Sequence, residues 1–381
     1  MRFSVVASAL VAAVVGFCGT LAIIVEAMRH VGATEAEASS AVAALCLGIA
    51  GATLYLSARY RMPVVTAWSL AGAALVASAP AGVTLRDAVG AFVLSAVLMA
   101  LAGLIPALGN AVARLPASIA GGMLAGILLR FVLLAFQAAQ GTPALAVPLL
   151  ATFLLARRVH AASAPLVVIA AAVPLALLEG YVLPIPAVSV SRLTWIAPGF
   201  SPSVLVGLGM PLFLVTMVTQ QISGAAVLRT SGYVPPVRAV LITTGLTTVF
   251  AALFGAYSVC LSSVTASICT GPDAHPDPAK RWLTGPAYAA IYLLFAVFGA
   301  SAAASLARLP PVLIAVVAGT ALLGPLTGAL ASALHREGER FPAVVAFGVT
   351  ASGLTAAGIG AAFWGLIAGL LALALERVGR R

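Results

Sequence analysis

Apolar residues run along this chain in long blocks, and charges with Pro and Gly breaks are largely confined to the joins between them. Blocks of this length without a regular polar stripe predict membrane-crossing helices rather than amphipathic helices or half-buried strands. The first half holds seven, at residues 3–28, 38–58, 62–79, 87–106, 116–136, 143–158 and 163–180. A polar, Pro-rich connection runs from Tyr181 to Pro202. Seven more follow, at 203–228, 236–254, 256–271, 283–300, 310–331, 341–354 and 358–375. The expected fold class is an all-α polytopic membrane protein of fourteen transmembrane segments.

Two of the blocks are built badly for a continuous helix. In the third, RYRMPVVTAWSLAGAALVAS from Arg59 to Ser78, Pro63 opens a β-branched run of Val64, Val65 and Thr66 that favours extended backbone. The composition turns helix-friendly at Ala67 and stops near Ser78, leaving about three turns where a full span needs roughly 20 residues. The tenth block repeats the pattern, with Gly255 to Cys260 extended and Leu261 to Cys269 as a half-helix. Broken backbone at bilayer depth is tolerated only where it faces protein or a water-filled cavity, so the pair marks a transporter's binding site.

One constant shift of 194 residues brings the halves into register. Ala113-Arg114-Leu115-Pro116 falls on Ala307-Arg308-Leu309-Pro310, Gly51 on Gly245, Pro148 on Pro342, and Met62 to Ser78 on Ala256 to Pro272. The expected organisation is a first repeat at 1–180, a connecting loop at 181–202 and a second repeat at 203–381. Seven crossings per unit is an odd number, so the second unit lies inverted relative to the first.

Composition sharpens this picture. The 381 residues are 62% hydrophobic and 8% charged, far from the roughly 25% charged of soluble domains. The net charge of +10 comes without basic runs interleaved with aromatics, which excludes a nucleic-acid partner and leaves orientation as its meaning. With the N-terminus inside, the inner face receives fifteen of the twenty basic residues, including Arg2, Arg59, Arg61, Arg114, Arg157, Arg158, Lys280 and Arg281, against Arg29, Arg86, Arg192 and Arg308 outside. Both termini are expected in the cytoplasm. Cys18, Cys46, Cys260 and Cys269 sit in apolar segments without metal-like spacing and read as buried free thiols. Met1 to Gly19 resembles a signal peptide, but the apolar run continues to Val25 with no cleavage site, so it reads as a retained first span.

Candidate chemistry gathers at the breaks. In the inverted arrangement the two half-helix N-termini point toward one another, each with free N–H groups and about half a positive charge, which suits an anion. Thr66 and Ser69 lie on one side, Ser262, Ser263 and Thr265 on the other, and Tyr257 in the second extended run. They are substrate contacts or simply bond back to their own helices. Gln220 and Gln221 are adjacent amides deep in the eighth span and need partners, either other helices or a carboxylate. Trp68 packs on a substrate ring or serves as a structural wedge. Among ionisable residues within spans, Glu26 falls on Gln220 under the shift and is a candidate proton carrier or a surface residue near its span's end; Arg130 is a counter-charge or snorkels outward. The loop Gly271 to Pro278, with Asp273, His275 and Asp277, reads as a rigid turn rather than a metal site. No phosphate loop, nucleotide fingerprint or nucleophile with attendant base is present, so neither an enzyme nor a cofactor is expected, and no metal.

Several of these stretches also carry a resemblance. RYRMPVVTAWS with Gly72-Ala73-Ala74-Leu75, MLAGILLRF from Met123, MPLFLVTM, ICTGPDAHPD and VTASGLTAAGIGAAFWGLIAG together resemble the bacterial benzoate:proton symporter family, nearly end to end. The resemblance implies the fold shared with nucleobase:cation symporters and sulfate-permease-type carriers: two inverted seven-segment repeats, third and tenth segments broken, arranged as core and gate domains. It departs from the family pattern at Gln220-Gln221-Ile222-Ser223-Gly224, where the family reads Gln-Asn-x-Pro-Gly, and at Ser69-Leu70-Ala71-Gly72, where it reads Ser-Thr-Pro-Gly. The implied activity is import of benzoate or a similar aromatic carboxylate with a proton across the bacterial inner membrane; for such a substrate, Trp68 or Phe17 suits the ring. The alternatives are a nucleobase or inorganic-anion carrier of the same fold, and a membrane receptor or scaffold. A homodimer is one assembly open to it.

Overall fold

The computed structural model describes residues 3–18, 20–113, 115–159, 164–181, 190–307 and 310–379. Arg2, Arg114, Arg308, Arg380 and Arg381, the Cys18 side chain and residues 182–189 of the connection lie outside the described residues. The first half contains α1 (Phe3–Cys18), α2 (Leu21–His30), α3 (Glu35–Tyr60), β1 (Thr66–Trp68), α4 (Leu70–Ala77), α5 (Leu85–Leu104), α6 (Pro106–Ala113), α7 (Ala117–Gly141), α8 (Pro143–Val159) and α9 (Ala164–Leu178). The second contains α10 (Pro202–Thr230), α11 (Val237–Ala252), β2 (Val259–Leu261), α12 (Ser263–Thr270), α13 (Thr284–Ala307), α14 (Pro311–Leu334), α15 (Arg340–Ala351) and α16 (Ala361–Gly379). Every expected stretch carries an element at its place, and among the described residues seven helical spans are long and apolar enough to cross a membrane.

Both broken stretches are strand then half-helix. β1 and β2 pair antiparallel, Thr66 opposite Leu261, Ala67 opposite Cys260 and Trp68 opposite Val259. Each strand thereby gives the other the backbone partners that lipid cannot supply. The first N–H of each strand is satisfied by a threonine from the preceding helix, Thr66 by Thr53 Oγ1 at 3.0 Å and Val259 by Thr248 Oγ1 at 2.9 Å. From Thr66 to Val259, and from Ser69 to Ser262, the offset is 193 residues, whereas Pro116 and Pro310, which precede α7 and α14, keep 194. The second connection from half-helix to proline is one residue longer, so the single frame of 194 is one residue out at the breaks.

Two helices differ from expectation. The first span is divided into two helices: α1 ends at Cys18 and α2 starts at Leu21, behind Thr20 with non-helical φ of −134°, and threonine is a poor helix former. The eighth is widened into π-helix over Leu205–Gly209 and Met217–Ile222. Pro211 follows the first widening; it has no N–H to donate and its ring crowds the carbonyl of Gly207. In the second, the Ser223 hydroxyl bonds back to the Thr219 carbonyl, a contact that loosens helices.

The helices form two packing groups. In one, α3 lies on α13 and α5 on α11, around the strand pair; in the other, α7 lies on α14 and α15, and α15 on α16. The second group closes through small residues: a Cβ on Gly126 would stand 2.8 Å from the Phe347 carbonyl, the close approach that membrane helices use in place of hydrophobic association. The groups meet where α7 crosses α4 and α16 crosses the first π segment.

Candidate functional site

The ladder ends in two N-caps. Ser69 Oγ accepts Gly72 N–H at 3.0 Å and Ser262 Oγ accepts Thr265 N–H at 3.3 Å. The two eight-residue half-helices leave the antiparallel ladder in opposite directions, so both N-terminal ends point back at it. The N–H groups of Leu70, Ala71, Ser263 and Val264 have no hydrogen-bond partner among the described residues. A pair of positive helix ends with four uncommitted donors has the chemistry that suits an anion.

The expected side chains divide into frame and free groups. Thr66 turns away from the half-helices, its Oγ1 donating to the Ile49 carbonyl at 3.1 Å and lying 2.8 Å from Thr53 Oγ1. Gln221 is 4% exposed and fully engaged: Oε1 accepts Leu261 N–H at 3.3 Å, and Nε2 donates to Thr244 Oγ1 at 2.8 Å. It ties α10 to β2 and α11. Gln220 and Ser263, by contrast, are half-buried and their side chains bond nothing among the described residues. Tyr257 is buried edge-on to Phe92, on α5.

An aromatic cluster stands beside the crossing. Phe17 lies 5.7 Å from Trp68 and 4.4 Å from Phe295, and Trp68 lies 6.1 Å from Tyr292, centroid to centroid. Trp68 Nε1 donates to Thr20 Oγ1 at 2.7 Å, and Thr20 Oγ1 to the Gly16 carbonyl at 2.6 Å, which fixes the indole against the α1–α2 break. Tyr288, Tyr292 and Phe295 were not anticipated; their spacing of four and three residues in GPAYAAIYLLF puts them on one face of α13 and is the signal that would have found them. The hydroxyls of Thr216, Tyr257, Ser258, Thr265 and Tyr288 are buried without completing a hydrogen bond among the described residues. Buried polar atoms are ordinarily satisfied, by solvent or ligand where protein does not do it.

The half-helices are covered unequally. In α4 every residue from Ala71 to Ala77 is buried, and α7 packs over it. In α12, which packs on α1 and the end of α10, Val264 is 56% exposed and Ser267 is exposed too. Glu26 is half-buried on α2, one turn beyond Ala22, which packs into the cluster of Leu313, Val316 and Val317 from α14. Arg130 is exposed on α7, as outward snorkelling requires.

The Gly271 to Pro278 loop is a bonded turn that caps the far end of α12. His275 Nδ1 accepts Asp277 N–H at 3.0 Å, Asp277 Oδ1 accepts Ala279 N–H at 2.9 Å, and Arg281 donates to the carbonyls of His275 and Thr270, both at 2.8 Å. The Arg281 charge thus sits on the negative end of the half-helix dipole. Tyr233 donates to the Pro278 carbonyl at 2.9 Å; burial pushes its phenol up, against the pull of Arg281. Cys46, Cys260 and Cys269 are buried and free.

The chain is similar to known membrane proteins over nearly its whole length. The chain is 40% identical over 359 residues to the inner membrane protein YdcO of Escherichia coli, covering 94% of this chain and 92% of that one. It is 33% identical over 362 residues to the benzoate membrane transport protein of Acinetobacter baylyi, covering 95% and 92%. In fold it is similar to the transmembrane domain of the cyanobacterial bicarbonate transporter BicA, with TM-score 0.63, 14% identity and coverage of 97% and 98%. It is also similar to SLC26A9, with TM-score 0.68, 13% identity and coverage of 98% of this chain and 65% of that one. The description BenE, benzoate membrane transport protein, matches residues 1–375, and the chain belongs to that family of membrane transporters.

Proposed function

We propose that the protein imports a small aromatic carboxylate, benzoate first among them, with a proton across the inner membrane. The observation that supports this reading most is the pair of half-helix ends with uncommitted N–H groups beside an aromatic cluster. The carboxylate takes the N–H groups of Leu70, Ala71, Ser263 and Val264, the Ser263 hydroxyl and the Gln220 amide. Phe17 and Trp68 take the ring, offset or edge-on. Ser69, Ser262, Thr66 and Gln221 hold the frame, and Thr265 and Tyr257 stand behind it. In this reading the chain crosses the membrane fourteen times as two inverted repeats, the group around the strands is the core, the other is the gate, and both termini with the His275 loop are cytoplasmic.

The proton compensates the charge of the anion, whose entry against an inside-negative potential costs about 2.3 kcal/mol per 100 mV. Glu26, beside the α14 seam, is one carrier; the substrate carboxyl itself, protonated on entering a low-dielectric pocket, is the other. Uptake of radiolabelled benzoate into liposomes under an imposed pH gradient tests the proposal. A second reading, an inorganic-anion carrier, draws support from the fold likeness to BicA and SLC26A9, since helix ends accept any anion. Bicarbonate or sulfate competing where benzoate does not would favour it. A receptor would bind without saturable flux.

A further inference from the structure

Between α15 and α16 the chain reads Ser352-Gly353-Leu354-Thr355-Ala356-Ala357-Gly358-Ile359-Gly360, a stretch for which the substrate site has no use. Ala356 and Ile359 exchange both backbone hydrogen bonds, at 3.2 and 2.9 Å, and the two residues between them have φ of 53° and 72°. Two successive left-handed residues make a tight turn of the primed type. Left-handed backbone at Ala357 persists only where the surroundings enforce it. Trp364, in the first turn of α16, enforces it here: Nε1 donates to the carbonyls of Ala356 and Ile359, each at 3.2 Å. The turn is therefore a rigid knob fixed to α16.

The knob is seated across the seam between the packing groups. A Cβ on Gly207 would stand 3.1 Å from Ile359 Cα and 3.2 Å from Gly360 N; one on Gly360 would stand 3.3 Å from the Pro80 ring, and one on Gly358 3.3 Å from Ser203 Cβ. Gly207 lies in the first π segment of α10, ahead of Pro211, and Pro80 follows α4. Backbone thus meets backbone at the end of the molecule where α4 finishes. The other half-helix, α12, is capped at its far end by the Gly271 to Pro278 loop but leaves Val264 and Ser267 exposed along its side.

We propose that the Ala356–Ile359 turn is the clasp that closes the outer end of the substrate path. It seats on Gly207 and Pro80 while the pocket is open toward the His275 loop, and it lifts as a unit with α16 when the pocket opens the other way. This rests on the transport reading, because a clasp has work to do only if the pocket faces the two sides in turn.

The test labels Ser203→Cys and Val264→Cys, each as the single cysteine of a chain otherwise lacking Cys18, Cys46, Cys260 and Cys269, with a membrane-impermeant maleimide applied from one face at a time. Gly207→Val places a branched side chain where the clasp seats. It should raise labelling of Ser203→Cys from the outer face and lower labelling of Val264→Cys from the inner face, changing their ratio by about tenfold. Gly207→Ala should move both in the same sense by less. A disulfide between Gly207→Cys and Ile359→Cys should stop benzoate flux, keep Val264→Cys open from the inner face, and release on reduction. Unchanged labelling in Gly207→Ala and in folded Gly207→Val, or parental flux in the bridged protein, would overturn the clasp. Labelling needs no substrate, so a wrong substrate shows separately, as absent benzoate flux in the reduced parent.

Discussion

Gln221 Oε1 accepts the backbone N–H of Leu261 at 3.3 Å, so an amide in the π-widened part of α10 holds the last residue of β2, one position before the Ser262 cap. Its neighbour Gln220 bonds nothing among the described residues. Adjacent residues of one type are thereby split between the frame and an uncommitted amide, which the proposed function gives to the substrate. Gln221→Leu strands the buried Leu261 N–H, while the Thr244 hydroxyl keeps its bond to the Val240 carbonyl at 2.8 Å, and should cost about 1–3 kcal/mol of stability, read as a lower unfolding midpoint in detergent. Gln220→Leu should leave that midpoint unchanged and raise the KM for benzoate. The reverse pattern would exchange their roles.

The threonines that satisfy the first N–H of each strand make a matched pair. Thr53→Val and Thr248→Val each leave one strand N–H unpaired in the core and should each destabilise by about 1–3 kcal/mol. Thr248→Ser keeps the acceptor and should recover most of the loss. Thermal unfolding of the three variants decides this, and equal midpoints for valine and serine would reject it.

In the proposed function Phe17 takes the substrate ring; it packs on Phe295 and Trp68, and Trp68 is itself held by Thr20 at 2.7 Å. Phe17→Ala should weaken benzoate binding by about 0.5–1.5 kcal/mol beyond lost area, up to roughly tenfold in Kd, with Phe17→Tyr much milder. Titration calorimetry on purified protein measures both, and parental affinity in Phe17→Ala would place the ring elsewhere.

Much of this was legible in the chain. Pro63 with its β-branched followers and the apolar blocks carry local physics that needs no tertiary context, so both breaks could be read directly; the half-helices, expected from Ala67 and Leu261, start instead at Leu70 and Ser263, behind the Ser69 and Ser262 caps, because Ala67, Trp68 and Leu261 are taken up by the strand pair. The break between α1 and α2 was hidden because apolar residues flank it on both sides and hydropathy does not register a bend. Gln221 could not be told from Gln220, since which amide faces β2 depends on the π-helical widening at Met217–Ile222. The spacing of Tyr288, Tyr292 and Phe295 put them on one face of α13, but that this face meets α1 beside Phe17 is a long-range contact that the spacing does not encode. The offset of 193 at the breaks was masked by Pro116 and Pro310, which keep 194 outside them.

Glu26 separates the two proton routes. Glu26→Gln should abolish benzoate-driven proton influx while preserving benzoate exchange if its carboxylate carries the proton. Coupling at the parental ratio assigns the proton to the substrate carboxyl instead. A pH-sensitive dye inside liposomes follows the proton while radiolabel follows benzoate.

The most direct test of the account is uptake of radiolabelled benzoate by the purified protein in liposomes, with the outside made acidic and unlabelled benzoate, uracil, bicarbonate and sulfate as competitors. The account predicts saturable uptake that rises with the pH gradient, collapses with a protonophore and is displaced by benzoate alone. Uptake no faster than in empty liposomes, or displacement by bicarbonate or sulfate and not by benzoate, would contradict it.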